Sequence, residues 1–274
     1  MNLQYEQEIS KYGKKDALIA LLFAVYIIAL TFAFWIIMTV FDVSGIAGLL
    51  YGIALALVAL SPLFLIVRIK RQGLRSLGVH FTNWPQAVGA GLFFVAVFLL
   101  LFNGLLPGLL AGWQFQPPLI IALLVGYQLI MAFWEDVIFI GYIQTRMYGL
   151  IKKDFLAVLI VGLIFAAIHY PTIIAANIVI NGGFGFGFWI SLLWQTFLLV
   201  IVYIAMNAVF RRFNSIIPVT LFHFSFNFSQ LGHLWVDGGG DGFNNLLALG
   251  IFIFSVLLLT VILPNFKKRK TYTT

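Results

Sequence analysis

Residues 131–140 read Met131-Ala132-Phe133-Trp134-Glu135-Asp136-Val137-Ile138-Phe139-Ile140. Two adjacent carboxylates stand in a run that carries no other charge back to Pro118. A charged side chain at bilayer depth costs several kcal/mol, so an acidic pair there marks a functional site by default. Three polar residues in other apolar runs, His169, His223 and Asn227, are its candidate partners.

The surrounding chain supports the membrane reading. Of its 274 residues 62% are hydrophobic and 9% are charged, against about 25% charged in soluble domains. Seven Trp and 29 Phe suit lipid contact and interfacial belts. The net charge of +7 does not point to nucleic acid, because the basic residues fall in short clusters between apolar runs. Cysteine is absent, which excludes disulfides, thiolate metal sites and a Cys nucleophile. The first apolar run is too long for a signal-peptide core and lacks a cleavage site, so no signal peptide is expected.

Outward from the acidic pair, the apolar runs predict eight membrane spans at about 17–41, 46–67, 87–110, 119 to past 146, 155–169, 188–210, 215–231 and 246–263. Pro171 is expected to end the fifth span, with 171–187 an uncharged, Gly-rich loop. Placing the N-terminus inside puts all 16 Lys and Arg in the inner segments 1–16, 68–85, 146–154, 211–214 and 264–274. Short-loop Lys/Arg bias sets orientation, so both termini are expected in the cytoplasm. The predicted fold is all-α: a polytopic membrane protein with eight transmembrane helices, forming a single integral membrane domain over 1–274. Residues 1–16 form a cytoplasmic head and 264–274 a basic cytoplasmic tail. Long apolar runs exclude the alternating pattern of a barrel.

Depth brings the polar residues together. Glu135 lies 11 residues before Arg146 and His223 lies 11 past Arg212, each roughly 16 Å from a basic end at 1.5 Å per residue. His169, 16 residues past Lys153, stands roughly 24 Å up by the same rise. Asn227 shares a helix face with His223, since residues i and i+4 align. The chemistry is that of hydrolysis. A dry carboxylate serves as general base for water, an imidazole holds the water or shuttles a proton, and His223 with Asn227 can donate to an oxyanion. The alternatives are interhelical hydrogen bonding for a lone His or Asn, worth about 1 kcal/mol, and proton coupling by the carboxylates in a transporter. A transporter predicts an inverted repeat, and none is evident. His80 and His233, in or near loops, are expected to have no chemical role.

Three motifs carry a family resemblance: Glu135-Asp136 with Phe139 and Gly141-Tyr142, Phe165-Ala166-Ala167-Ile168-His169, and His223-Phe224-Ser225-Phe226-Asn227. Together they resemble the CPBP family, the type II CAAX prenyl endopeptidases and the bacterial Abi and bacteriocin-processing proteins, over about Trp134 to Phe228. The resemblance implies an eight-helix intramembrane endopeptidase acting on a membrane-associated or lipidated, CAAX-like peptide in the cell membrane. It assigns Glu135 as base, Asp136 as the second acid, and His169, His223 and Asn227 to water positioning and oxyanion binding. It implies a metal-free, glutamate-dependent mechanism with no cofactor, although two His and two carboxylates also have the donors for Zn²⁺. Two positions depart from the family pattern. The second acid is Asp, and Ile140 occupies the place of the motif's Arg. The second departure raises an alternative, a catalytically impaired member with a bacteriocin-immunity or regulatory role. Arg146, six residues further along, is expected to point elsewhere.

Overall fold

The computed structural model describes residues 3–43, 45–80, 84–101, 109, 112, 114–181, 183–230 and 250. Among these residues the chain is helical and no strand forms. A short helix α1 (Leu3–Ile9) precedes two long helices, α2 (Lys14–Val40) and α3 (Gly45–Ile69). A 3₁₀ turn (Leu74–Leu77) leads to α4 (Trp84–Leu101). Helix α5 (Pro118–Asp136) runs directly into a π-helix (Val137–Gln144) and a last α-turn (Thr145–Met147). The remaining helices are α6 (Asp154–Ile168), α7 (Tyr170–Asn181), α8 (Phe186–Phe213) and α9 (Ile216–Gln230).

Four of these helices are long and apolar enough to cross a membrane: Lys14–Val40, Gly45–Ile69, Pro118–Met147 and Phe186–Phe213. Three further apolar helices, Trp84–Leu100, Asp154–Ile168 and Ile216–Phe228, are shorter. The expected eighth span, the end of the third and the basic tail lie outside the described residues, as does His233. The all-helical class therefore stands, with four helices among the described residues that meet the length and composition of a membrane span.

One expectation is overturned. Pro171 does not end the fifth crossing in a loop; it sits in the first turn of α7, which continues to Asn181. The first four N–H groups of a helix have no intrahelical acceptor, so proline costs nothing there and its fixed φ favours the helix. The chain breaks at His169 instead, and α7 restarts immediately. Pro218 occupies the equivalent first turn of α9.

In helices that are apolar all round, small residues mark the packed face. The buried positions of α3 are Gly52, Ala56, Ala59, Leu63 and Val67, a single stripe at helical spacing. Small residues of this kind let backbones approach where lipid offers no hydrophobic driving force. Helix α9 packs against α4 and α5, and α6 packs against α8. Phe222 fixes the α4–α9 contact edge-on, with ring centroids 4.8 Å from Phe94 and 5.8 Å from Phe98.

The basic segments meet at one end of the bundle. Lys70, after α3, pairs with Asp16 at the start of α2 at 3.3 Å. Arg211, near the end of α8, pairs with Asp154 at the start of α6. Arg146 is fully buried at the same end and makes no contact with the acidic pair. It donates to Ser76 O at 2.9 Å, Gly141 O at 3.0 Å, Thr145 Oγ1 at 2.7 Å, Gln72 Oε1 at 2.7 Å and Ser76 Oγ at 3.1 Å. Its guanidinium also lies over the rings of Tyr12 and Tyr142, 4.2 and 4.4 Å from their centroids. Arg146 thus ties the turn between α1 and α2, the 3₁₀ turn and the end of the π-helix together, while Ile140 is fully buried in the apolar core. Beside it, Gly141 lets the Leu77 carbonyl approach to where a Cβ would lie only 2.3 Å away.

Candidate active site

The acidic pair ends α5 at the point where the winding changes. Asp136 is fully buried, Glu135 is 7% exposed and His223 is 2% exposed. From α9, His223 meets both carboxylates: Nδ1 is 3.0 Å from Asp136 Oδ1, and Nε2 is 3.8 Å from Glu135 Oε2. From the α6–α7 junction, His169 brings its own Nε2 to 3.8 Å from the same Glu135 Oε2. Glu135 Oε2 is buried and has no hydrogen-bond partner. A separation of 3.8 Å is too long for a direct hydrogen bond and suits groups that share one water.

Hydrogen bonding fixes which face each imidazole presents. His169 Nδ1 lies 3.0 Å from the Phe165 carbonyl, one turn back on α6. A carbonyl can only accept, so neutral His169 carries its proton on Nδ1 and turns the Nε2 lone pair toward Glu135. With Asp136 ionised, His223 is held in the same tautomer. The Phe165 ring packs between these groups, its centroid 4.9 Å from the His169 ring and 6.0 Å from the His223 ring.

Exposure falls steadily across the site. The side chain of His169 is 27% exposed, that of Glu135 9%, that of His223 3% and that of Asp136 0%. The open side is therefore that of His169, where α6 gives way to α7. Asn227 lies one turn beyond His223 on α9 and is half-buried. Among the described residues it makes no hydrogen bond to the other four. No set of three or more His, Asp or Glu side chains among the described residues converges in a form that would hold a metal ion.

Three contributors escaped the sequence reading. Thr220, one turn before His223, places its hydroxyl beside Asp136, although neither Thr220 Oγ1 nor Asp136 Oδ2 completes a hydrogen bond. Tyr203 and Gln144 form a buried polar contact behind the acidic pair, at 2.9 Å. Each is a polar residue in an apolar run, the same signal that singled out His169. His80 stays away from this site, its Nε2 against the Asn214 carbonyl.

An all-helical bundle with apolar spans and a buried carboxylate–imidazole cluster defines a class: a membrane protein built around an internal polar site. Residues 117–229 match the family model described as type II CAAX prenyl endopeptidase, Rce1-like, a protease family. That stretch contains all five candidate residues and agrees with the CPBP resemblance of the three motifs. No curated protein and no solved structure matches the chain.

Proposed function

We propose that this protein is an intramembrane endopeptidase that hydrolyses a peptide bond with a water activated by Glu135. The observation that carries this reading is the meeting of Glu135 Oε2 with two imidazole Nε2 atoms, each at 3.8 Å. A water held among them would lose a proton to Glu135 as its oxygen attacks the scissile carbonyl carbon. The new C–O bond turns the carbonyl into an oxyanion. Passing that proton from Glu135 to His223 Nε2 would restore the carboxylate and produce an imidazolium whose charge Asp136 opposes from the other side of the ring. Its Nε2–H, with the Asn227 amide, then donates to the oxyanion or to the leaving nitrogen as the C–N bond breaks. His169, locked by Phe165, orients the water. This chemistry needs no cofactor.

The substrate proposed is a peptide or lipidated, CAAX-like C-terminus at the bilayer, entering from the His169 side. The protein is placed in the cell membrane with the clustered basic end, and both termini, in the cytoplasm. The test is cleavage of a library of prenylated and unprenylated peptides by the purified protein in proteoliposomes. Cleavage that prefers the prenylated series and is lost in Glu135→Gln supports the reading; equal cleavage by both proteins rejects it.

A second reading rests on Ile140. The position of the family's Arg is apolar and fully buried, and Arg146 is committed to Ser76, Gln72 and Thr145. A member that binds peptide without cutting it would retain a prenylated peptide equally well as wild type and as Glu135→Gln, with no product from either.

A further inference from the structure

The π-helix Val137–Gln144 is completely buried, and one hydroxyl from another helix spans its winding. Tyr203 of α8 is fully buried. Its OH lies 3.2 Å from the Phe139 carbonyl and 2.9 Å from Gln144 Oε1. Phe139 and Gln144 are five residues apart. In an α-helix a carbonyl bonds the N–H four residues on, so the Phe139 carbonyl would face residue 143 rather than Gln144. In a π-helix the bonding runs from i to i+5, so the Phe139 carbonyl and Gln144 stand at the two ends of one π turn. The Tyr203 hydroxyl, whose single proton goes to one of these two oxygens at a time, therefore bridges the ends of that π turn, and α winding would carry Gln144 out of register with the Phe139 carbonyl. Its ring is bracketed by Gly162, where a Cβ would come within 3.1 Å of Tyr203 Cδ1, and by Phe165, 5.5 Å between centroids.

The far end of the segment is anchored. Arg146 holds Gly141 O and the 3₁₀ turn, and Gly141 lies directly against Leu77. A change of winding between Phe139 and Gln144 would then rotate the other end, where Glu135 and Asp136 sit. We infer that the Tyr203–Gln144 contact sets the π-helical register and thereby aims Glu135 and Asp136 at the two imidazoles, which makes Tyr203 a positioning residue. This inference rests on the proposed hydrolysis only for its kinetic readout.

The test uses the full chain in proteoliposomes. Tyr203→Phe deletes the hydroxyl and keeps the ring; Gln144→Met deletes the acceptor and keeps the length. Two quantities are read: amide hydrogen exchange over 137–144, and kcat and KM on a prenylated peptide. Each variant is expected to exchange at least about tenfold faster in that segment. Each is also expected to lose about 10- to 100-fold in kcat, the scale of a 1 Å misplacement, with KM within twofold. The double variant should lose no more than Tyr203→Phe alone. Tyr26→Phe, which removes a hydroxyl bound to the Val58 carbonyl at 3.2 Å, should match wild type. Unchanged exchange in both single variants, or kcat losses that multiply in the double, overturns the inference. Should wild type and Glu135→Gln cleave alike, the proposed reaction fails, and exchange alone still decides the register.

Discussion

Asp136 Oδ1 stands 3.0 Å from His223 Nδ1 across 87 residues of sequence. The contact fixes which nitrogen of His223 faces Glu135, because whatever binds Nδ1 dictates the state of Nε2. Asp136→Asn keeps the shape but offers an amide that can donate to Nδ1 and push the imidazole proton to Nε2. The expected outcome is a fall in kcat of about 10²- to 10⁴-fold, the usual range for a general acid–base contribution. KM should change little, and steady-state kinetics on a cleaved peptide measures both.

Arg146 is expected to matter for folding rather than for the acid pair. Its five hydrogen bonds reach backbone and neutral side chains, and none reaches Glu135 or Asp136. Arg146→Met leaves buried acceptors unpaired, which costs about 1–3 kcal/mol for each group exposed to that loss. Thermal unfolding in detergent should show a drop in Tm. Lysine should restore little of it, since it lacks the planar fork that serves several acceptors at once.

Two glycines of the same long helix should respond oppositely. Gly141→Ala would place a Cβ 2.3 Å from the Leu77 carbonyl oxygen and 3.0 Å from its carbon, both backbone atoms that cannot swing aside. A loss of about 1–3 kcal/mol is expected, as for other overpacked sites. Gly126→Ala meets nothing within 4 Å and should be neutral or slightly stabilising by helix propensity. Unfolding of the two variants side by side gives the comparison.

Acid should loosen the basic end of the bundle. Burial holds the His80 imidazole below the ordinary histidine value of 6.5, outweighing the opposite pull of the Asn214 carbonyl. The unfolded chain then takes up the proton more readily than the folded one. His80 therefore contributes its full stability above 6.5 and loses it as pH falls below. For Glu8, burial raises the carboxyl, but hydrogen bonds from Lys11 and Tyr12 outweigh it and leave the group below the ordinary value of 4.5. That contribution is likewise complete above 4.5 and lost on further acidification. Tm should fall between pH 7.5 and 5.5 in wild type, and His80→Gln should flatten the slope.

Much of this arrangement is legible in residue types alone. Apolar runs locate the helices, and the cost of charge in lipid singles out Glu135 and Asp136 before any fold is known. His169 and His223 follow from depth. What sequence does not show is phase. Helices apolar on every face carry no periodic signal, so nothing in Val137–Gln144 distinguishes π from α winding; the difference depends on Tyr203 and Leu77 from other elements and on what Arg146 binds outside its own helix. Pro171 misleads for a related reason. Proline stops one helix and starts the next with the same residue preference, and only the turn at His169 decides between them. The imidazole tautomers rest on Phe165 O and Asp136, contacts that exist only after folding.

If Glu135 and His223 serve one water, their losses must not multiply. The decisive measurement is kcat/KM for Glu135→Gln, His223→Ala and the double variant on one cleaved peptide in proteoliposomes. Each single variant is expected to lose about 10³-fold, and the double no more than the larger single loss, as for groups that act as a unit. Single variants that retain wild-type activity, or a double variant whose loss is the product of the two, would contradict a shared site.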